Sequence, residues 1–251
     1  MSANGTKKLA GKVALVTGGS RSIGAAIAKR FAADGAAVAL TFSSSPAKAN
    51  EVVREIEAAG GKALAIKADA ADTEAVRLAI AKTVGTFGGI DILVNNAGAL
   101  AIAPIEQFPL EDFEKLIAVN VRGLFVATQE AARHMREGGR IINIGSTNSE
   151  RMPFAGGSVY ALTKGAVAGF TKGLARDLGP RGITVNNVQP GPIDTDMNPA
   201  DGDSARDTIP FVALQRYGHR DEVASFVAYL ASSEASFITG ASLLVDGGYA
   251  A

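Results

Sequence analysis

The chain has 251 residues, balances 25 Lys plus Arg against 25 Asp plus Glu, and contains no cysteine. The balanced charge argues against binding to nucleic acid or to a membrane surface, and the lack of cysteine excludes disulfides and thiolate chemistry. A single domain over residues 1–251 is expected, because no linker or change in composition divides the chain.

The first twelve residues lack the apolar core of a signal peptide, and no apolar run approaches the roughly 20 residues that span a bilayer. We therefore expect a soluble protein that stays in the cytoplasm, where it is made.

Short apolar segments alternate with longer amphipathic segments along the sequence. Strands are predicted at 13–17, 37–41, 63–67, 90–95, 140–144, 183–188 and 242–245, and helices at 22–34, 46–59, 73–87, 110–136, 160–178 and 221–231. Repeated strand–helix units predict an α/β fold with a parallel sheet and right-handed crossovers. We expect one doubly wound Rossmann domain of about seven parallel strands in the order 3-2-1-4-5-6-7, with helices on both faces.

Residues 194–211 interrupt this alternation. They are polar and acidic, include Pro199, Gly202 and Pro210, and show no regular period. Because the segment follows the carboxyl end of a strand, where such sheets bind ligands, we interpret it as a flap over a pocket. A solvated surface loop is the alternative interpretation.

The turn between the first strand and the first helix is rich in glycine. Glycine at this point allows the backbone to approach a pyrophosphate, which the N-terminus of the helix attracts. Tight packing alone also selects glycine, so the turn is not decisive by itself. We predict a dinucleotide site that uses Gly18, Ser20, Arg21, Ser22, Ile23 and Gly24.

The end of the second strand indicates which dinucleotide is bound. NAD sites usually place Asp or Glu there, whereas this chain has Ser43 and Ser44. These hydroxyls, with the Arg21 guanidinium, suit a 2′-phosphate, although Arg21 as a solvated surface cation is the alternative. NADP(H) is therefore favoured over NAD(H).

Three further groups of residues occur in order along the chain. Asn96 lies at the end of the fourth strand, Ser146 follows the fifth, and Tyr160 and Lys164 stand four residues apart, on one face of a helix. Together with the opening turn, they resemble the short-chain dehydrogenase/reductase family over residues 12–248. The match also includes Asp69, Asn120, Ala97, Gly98, Pro190, Gly191 and Ile193.

This resemblance implies an NAD(P)-dependent oxidoreductase. Tyr160 would be the general acid and base, Lys164 would lower the pKa of Tyr160 and hold the nicotinamide ribose, and Ser146 would donate to the substrate oxygen. Asn120 would hold a water that links Lys164 to solvent. Asp69, Asn96, Ala97, Gly98, Pro190, Gly191 and Ile193 would contact the cofactor. A free phenol titrates near 10, so lowering the pKa of Tyr160 to about 7 requires about 4 kcal/mol. A nearby cation supplies a part of this free energy.

Two positions depart from the family pattern. Ser22 stands where the family has the middle glycine of the turn, which predicts strain of about 1 kcal/mol if that position needs a positive φ. The usual spacing between the serine and the tyrosine points to Thr147, whereas alignment of the strand end favours Ser146. Both hydroxyls stay open as candidates.

The substrate and the class of activity are also left open. A pocket lined by Leu100, Ala101, Met152, Pro153, Phe154, Ile193 and the flap would suit small or medium, mainly apolar carbonyls. The chain resembles 3-oxoacyl-carrier-protein reductases, but Glu137 stands where those enzymes tend to be basic. Residues 145–153 and 188–196 resemble a subgroup that includes a protein proposed to bind cyclic di-GMP. A nucleotide-binding regulatory protein with little catalysis is therefore the alternative.

Two expectations concern assembly and metals. Small residues on the predicted helices at 110–136 and 160–178 suit close packing between subunits, and the family resemblance implies a homotetramer. The members of this set are Ala127, Ala131, Ala132, Gly165, Ala166, Ala168 and Gly169. His134 and His219 lack ligands at metal-binding spacing, so no metal is expected.

Overall fold

The computed structural model describes residues 7–251, and the first six residues of the expected domain lie outside this range. Seven parallel strands form one sheet in the order β3-β2-β1-β4-β5-β6-β7, which confirms the predicted topology. The strands are β1 Val13–Val16, β2 Ala37–Phe42, β3 Lys62–Lys67, β4 Ile92–Asn95, β5 Arg140–Ile144, β6 Thr184–Pro190 and β7 Ser242–Val245.

The described part of the chain contains eight α-helices, most of which pack against the two faces of this sheet. They are α1 Ser22–Ala33, α2 Pro46–Ala58, α3 Thr73–Phe87, α4 Leu110–Ile117, α5 Leu124–His134, α6 Ser158–Leu178, α7 Asp203–Thr208 and α8 Arg220–Ala231. Short 3₁₀ turns occur at Ile105–Gln107, Thr147–Ser149, Gly179–Arg181, Ile209–Phe211 and Ser233–Ala235.

Two apolar layers hold the helices against the sheet. One layer joins α1, α2 and α8 to one face and includes Phe31, which is fully buried. The other joins α3, α5 and α6 to the opposite face and includes Leu93 and Ile80. Because both faces of the sheet are covered, β1, β4 and β5 are buried at every position, which explains why apolar residues follow one another in these strands without alternation.

The prediction of a single helix over 110–136 is wrong in two respects, because the α-helix is interrupted and it ends earlier than predicted. A π-helical segment, Ala118–Gly123, separates α4 from α5, and α5 ends at His134 because Met135 is extended. Sequence periodicity does not reveal such a bulge, since the apolar positions continue on both sides of it. π-Bulges are frequent at functional sites, and this one carries Asn120.

Residues 194–211 contain more regular structure than predicted. The short helix α7 and the turn Ile209–Phe211 lie within them, and Ala205 is buried. The beginning of the segment is bridged to a distant residue, since the backbone of Ile193 pairs with Gly218. The remainder follows β6 along the chain, and its action as a flap stays a prediction.

Strand register brings the functional loops to one edge of the sheet. Asn95, Asn143 and Asn187 occupy the same register position on β4, β5 and β6. Asn95 Nδ2 donates to Asn143 Oδ1 over 2.9 Å, which ties the two strands together in the buried layer. The residues that follow these strands, including Asn96 and Ser146, therefore emerge side by side.

Two surface properties of residues 7–251 complete the description. In this range, no helix combines the length and the apolar character required to cross a bilayer. His134 and His219 lie at helix ends, where the His219 side chain accepts a hydrogen bond from the first turn of α8.

Candidate active site

The glycine-rich turn is packed against the end of β4. Gly18 has a φ of +65°, and a Cβ there would lie 3.0 Å from the Cα of Ala97. A Cβ at Gly24 would lie 2.4 Å from the carbonyl oxygen of Gly18. Only glycine fits at these two positions.

The first turn of α1 meets the physical requirements of a phosphate site. The side chain of Arg21 does not cap the helix, and the first turn contains no acidic residue. The free N–H groups and the positive end of the helix dipole therefore point out of the turn with nothing negative on the helix to satisfy them. This arrangement fits the pyrophosphate of a dinucleotide.

Ser22 has the strained backbone conformation that the sequence analysis predicts for a positive φ at this position. Its φ is 49°, in the left-handed region where a non-glycine residue costs about 1 kcal/mol or more. The Ser22 hydroxyl is hydrogen bonded to Asp196 in the flap, with 3.2 Å between Oγ and Oδ1. Contact with the flap thus offsets part of the strain.

Two hydroxyl-bearing residues that sequence reasoning missed brace the turn. Thr17 Oγ1 accepts hydrogen bonds from the backbone N–H groups of Asn96 and Ala97, at 3.0 Å each. Thr41 Oγ1 accepts from the N–H of Gly18, also at 3.0 Å. Their place at strand ends next to the glycine-rich turn was the signal available in the sequence.

The predicted cofactor residues beyond the turn lie around it. Asn96 Nδ2 donates to the carbonyls of Thr17 and Gly18, so its side chain holds the turn in place. Ser43 Oγ donates to Asp69 Oδ2 over 3.1 Å, which joins the end of β2 to the loop after β3. Ser44 is exposed beside Ser43.

A small cavity lies beneath this region, between the sheet, α3 and the π-helical segment. Its polar lining comes from Thr17, Thr41 and Asn95, and the rest is apolar. One buried oxygen, Asn95 Oδ1, has no hydrogen-bond partner among the described residues.

Ser146 and Tyr160 are brought together at the carboxyl edge of the sheet. Ser146 lies near enough to Tyr160 for its hydroxyl to lower the pKa of the phenol, and Ser146 Oγ accepts the N–H of Asn148. Thr147 is 1% exposed, and its hydroxyl donates instead to the carbonyl of Gln189. The geometry therefore favours Ser146 over Thr147 as the hydroxyl that meets a substrate.

Lys164 lies buried beneath the tyrosine. Its Nζ is 5.7 Å from the centre of the Tyr160 ring and donates to the carbonyl oxygen of Ile144 over 2.9 Å. Only 6% of the residue is exposed, and burial lowers the pKa of Lys164 from 10.5 to about 8. The ammonium is therefore poised to lose a proton close to neutral pH.

The pKa of Tyr160 departs from the expectation that Lys164 lowers it. Burial raises the pKa of Tyr160 above 10, and the hydrogen bond from Ser146 offsets only part of this rise. The reason is that Tyr160 and Lys164 share a poorly solvated site, which disfavours a phenolate and an ammonium alike. In the protein alone, the phenol therefore holds its proton.

Asn120 sits in the π-helical segment and is 2% exposed. Its side chain accepts from the N–H of Ala99 at 2.8 Å and donates to the carbonyl of the same residue at 2.9 Å. Asn120 Nδ2 also donates to Thr163 Oγ1, which in turn donates to the carbonyl of Tyr160. Thr163, which the sequence analysis did not single out, thus connects Asn120 to the tyrosine.

Gly98 leaves room between these groups. A Cβ at Gly98 would lie 3.7 Å from Asn120 Oδ1 and 3.8 Å from Lys164 Nζ. A side chain at this position would therefore be in van der Waals contact with both groups.

The residues predicted to line a substrate pocket divide into two groups. Leu100 and Phe154 are 42% and 46% exposed, as expected of a pocket rim. Ile193 is 4% exposed and packs in the apolar layer against Gly218, so its place in the pocket lining stays a prediction. Gly191 is required for packing, since a Cβ there would lie 2.6 Å from the Cβ of Asp246.

Arg151 joins three segments of the chain. Its guanidinium donates to the carbonyl of Tyr249 and lies 5.6 Å from the Tyr249 ring centre and 6.0 Å from that of Phe211. It thereby connects the loop after β5 with the flap and the C-terminal segment. No local sequence pattern indicated this role.

The parallel sheet and the Ser146–Tyr160–Lys164–Asn120 group define a Rossmann-type oxidoreductase. Residues 18–250 match the family model described as enoyl-(acyl carrier protein) reductase. The chain belongs to the short-chain dehydrogenase/reductase family.

Individual relatives are similar over almost their whole length. The cyclic-di-GMP-binding biofilm dispersal mediator protein of Escherichia coli K12 is 46% identical over 96% of this chain and 98% of that protein. A short-chain dehydrogenase/reductase from Serratia marcescens is 58% identical, with a TM-score of 0.96 over 97% of this chain and 100% of that structure. A short-chain dehydrogenase from Burkholderia cenocepacia, solved with NADP, is 54% identical, with a TM-score of 0.96 and the same coverage.

Proposed function

We propose that this protein reduces small or medium, mainly apolar carbonyl compounds with NADPH, and that Tyr160 is the general acid. The observation that carries the proposal is the position of Tyr160, which has Ser146 beside it and the buried Lys164 ammonium 5.7 Å from its ring centre. When bound, reduced nicotinamide supplies a hydride to the carbonyl carbon. The protein's own residues supply the proton and position the substrate.

Each residue has a distinct part in this proposal. Tyr160 donates its proton to the carbonyl oxygen, and Ser146 donates a hydrogen bond to the same oxygen. The raised pKa of Tyr160 keeps the phenol protonated before the reaction, which suits the reductive direction. Lys164 then returns a proton toward the phenolate, and Asn120, held through Ala99 and Thr163, connects Lys164 to solvent.

Cofactor preference follows from the charges around the turn. Arg21 and the hydroxyls of Ser43 and Ser44 would hold a 2′-phosphate, and the Burkholderia relative was solved with NADP. Asp69 opposes this arrangement because it accepts the Ser43 hydroxyl, so Ser43 would have to turn toward the phosphate. Equal or better turnover with NADH would contradict the preference.

The test measures NADPH oxidation across a panel of aldehydes and ketones. Tyr160→Phe is expected to lose at least about a thousandfold in kcat while NADPH binding, followed by nicotinamide emission, is largely retained. Tyr229→Phe, a change of the same kind on the exposed side of α8, is the matched control and keeps full activity. Turnover retained by Tyr160→Phe would refute the assignment.

A second candidate function is binding of a cyclic dinucleotide in a regulatory role. The 46% identity to the Escherichia coli protein named as cyclic-di-GMP-binding favours it, as does the strained Ser22 at the turn. Calorimetry with cyclic di-GMP separates the two functions. Tight binding together with inactivity across the carbonyl panel would favour the regulatory function.

Assembly as a homotetramer is also part of the proposal. Gly165 and Gly169 are exposed on α6 beside Leu162, which is 55% exposed. The expected contribution of Ala127 and Ala131 is wrong, since both pack into the protein's own core. Light scattering tests the proposal: Leu162→Asp should shift a tetramer toward smaller species, and a monomeric wild type would refute it.

A further inference from the structure

The flap contacts the phosphate-binding turn through one carboxylate. Asp196 Oδ1 accepts a hydrogen bond from Ser22 Oγ over 3.2 Å, and the backbone N–H of Asp196 donates to Ser22 Oγ over 3.3 Å. This reciprocal pair joins residues 174 positions apart in the sequence. Asp196 therefore lies at the mouth of the dinucleotide site.

The same carboxylate pairs with a cation on another element. Lys48, in the first turn of α2, places Nζ 2.7 Å from Asp196 Oδ2. The pKa of Asp196 is lowered, first by the hydrogen bond from Lys48 and to a lesser extent by Ser22 and by the charge of Arg21. Two cations, Lys48 in α2 and Arg21 immediately before α1, thus face one anion at the turn.

Asp196 holds this position only weakly. The side chains of Lys48 and Asp196 are 53% and 36% exposed, and exposed ion pairs contribute at most about 1 kcal/mol. A phosphate group carries up to two negative charges and three acceptor oxygens. A phosphate placed between Lys48 and Arg21 therefore forms stronger charge-assisted bonds than the carboxylate.

We propose that Lys48 is a ligand for a phosphate group of the dinucleotide, and that Asp196 occupies its position until the cofactor displaces it. The inference rests on the proposed binding of NADP(H). It makes Lys48 a further cofactor-binding residue and makes the attachment of the flap dependent on the cofactor. The phosphate is either the 2′-phosphate, near Arg21 and Ser43, or the pyrophosphate at the turn.

Binding of NADPH and NADH to the full chain tests the ligand role. Lys48→Met should raise the Kd for NADPH about tenfold, the effect of losing one charge-assisted hydrogen bond. An effect on NADPH alone identifies the 2′-phosphate, whereas equal effects on NADPH and NADH identify the pyrophosphate. Unchanged affinity for both nucleotides would overturn the proposal.

The matched control is Lys29→Met. Lys29 forms an exposed ion pair with Glu55 between the same two helices, α1 and α2, away from the turn. This variant loses an equivalent surface charge and should bind both nucleotides as the wild type does. A loss of affinity equal to that of Lys48→Met would show a general charge effect and would also overturn the proposal.

The displacement of Asp196 from Lys48 by the cofactor phosphate is tested with Asp196→Asn. Removing the competing charge should lower the Kd for NADPH by about threefold, the free energy of a weak exposed pair. An unchanged or higher Kd would refute the idea that Asp196 competes with the cofactor phosphate for Lys48. A wild type that binds neither nucleotide would refute the proposed function itself, whereas normal binding with an unaffected Lys48→Met variant would refute this inference alone.

Discussion

Replacing Lys164 with methionine should stabilise the protein at pH 7 while it removes catalysis. Lys164 is 6% exposed, and none of the ion pairs among residues 7–251 includes it. Its only hydrogen bond in this range goes to the carbonyl of Ile144. The buried ammonium is thus a functional charge that the fold accommodates at a cost in stability.

The magnitude follows from the pKa of Lys164. A fall from 10.5 to about 8 at about 1.4 kcal/mol per pH unit corresponds to about 3 kcal/mol. Because the folded-state pKa is the lower one, the unfolded chain binds more protons between pH 8 and 10.5, and stability rises with pH across that window. Methionine removes this cost, but it leaves the Ile144 carbonyl unpaired at a cost of about 1–2 kcal/mol.

Urea unfolding at pH 7, 8, 9 and 10 measures the effect. Lys164→Met should be about 1–2 kcal/mol more stable than the wild type at pH 7, and the advantage should disappear toward pH 10. Lys172→Met, an exposed change on the same helix, is the control and should shift stability equally at every pH. A pH-independent difference for Lys164→Met would refute the reasoning.

Three further predictions concern the active site. Ser146→Ala should lower kcat about a hundredfold or more, whereas Thr147→Ala should act mainly on stability, because Thr147 faces Gln189; the reverse pattern in steady-state kinetics would exchange their roles. Thr163→Val should lower kcat and alter its pH profile through loss of the link to Tyr160, and Thr163→Ser should restore both; a profile identical to that of the wild type would exclude a positioning role. The kcat for reduction should fall as pH rises above about 8, because Lys164 loses the proton that it returns to Tyr160; a rate independent of pH between 7 and 9.5 would contradict this.

The sequence by itself determined the order of the elements and most of the candidate site. The continuous apolar strands could only be buried on both faces, and glycine at positions 18 and 24 fits a turn where a Cβ would collide with backbone. Tyr160 and Lys164 share a helix face because of their spacing. These features depend on neighbours in the sequence, so local patterns predict them.

Only the tertiary structure decided the properties that depend on distant groups. The bulge that turns Asn120 toward Ala99 and the raised pKa of Tyr160 both follow from burial and contacts across the fold. Asp196 meets Ser22 only because the flap returns over the carboxyl edge of the sheet. Desolvation and long-range hydrogen bonds have no period along the chain, and for that reason the sequence does not reveal them.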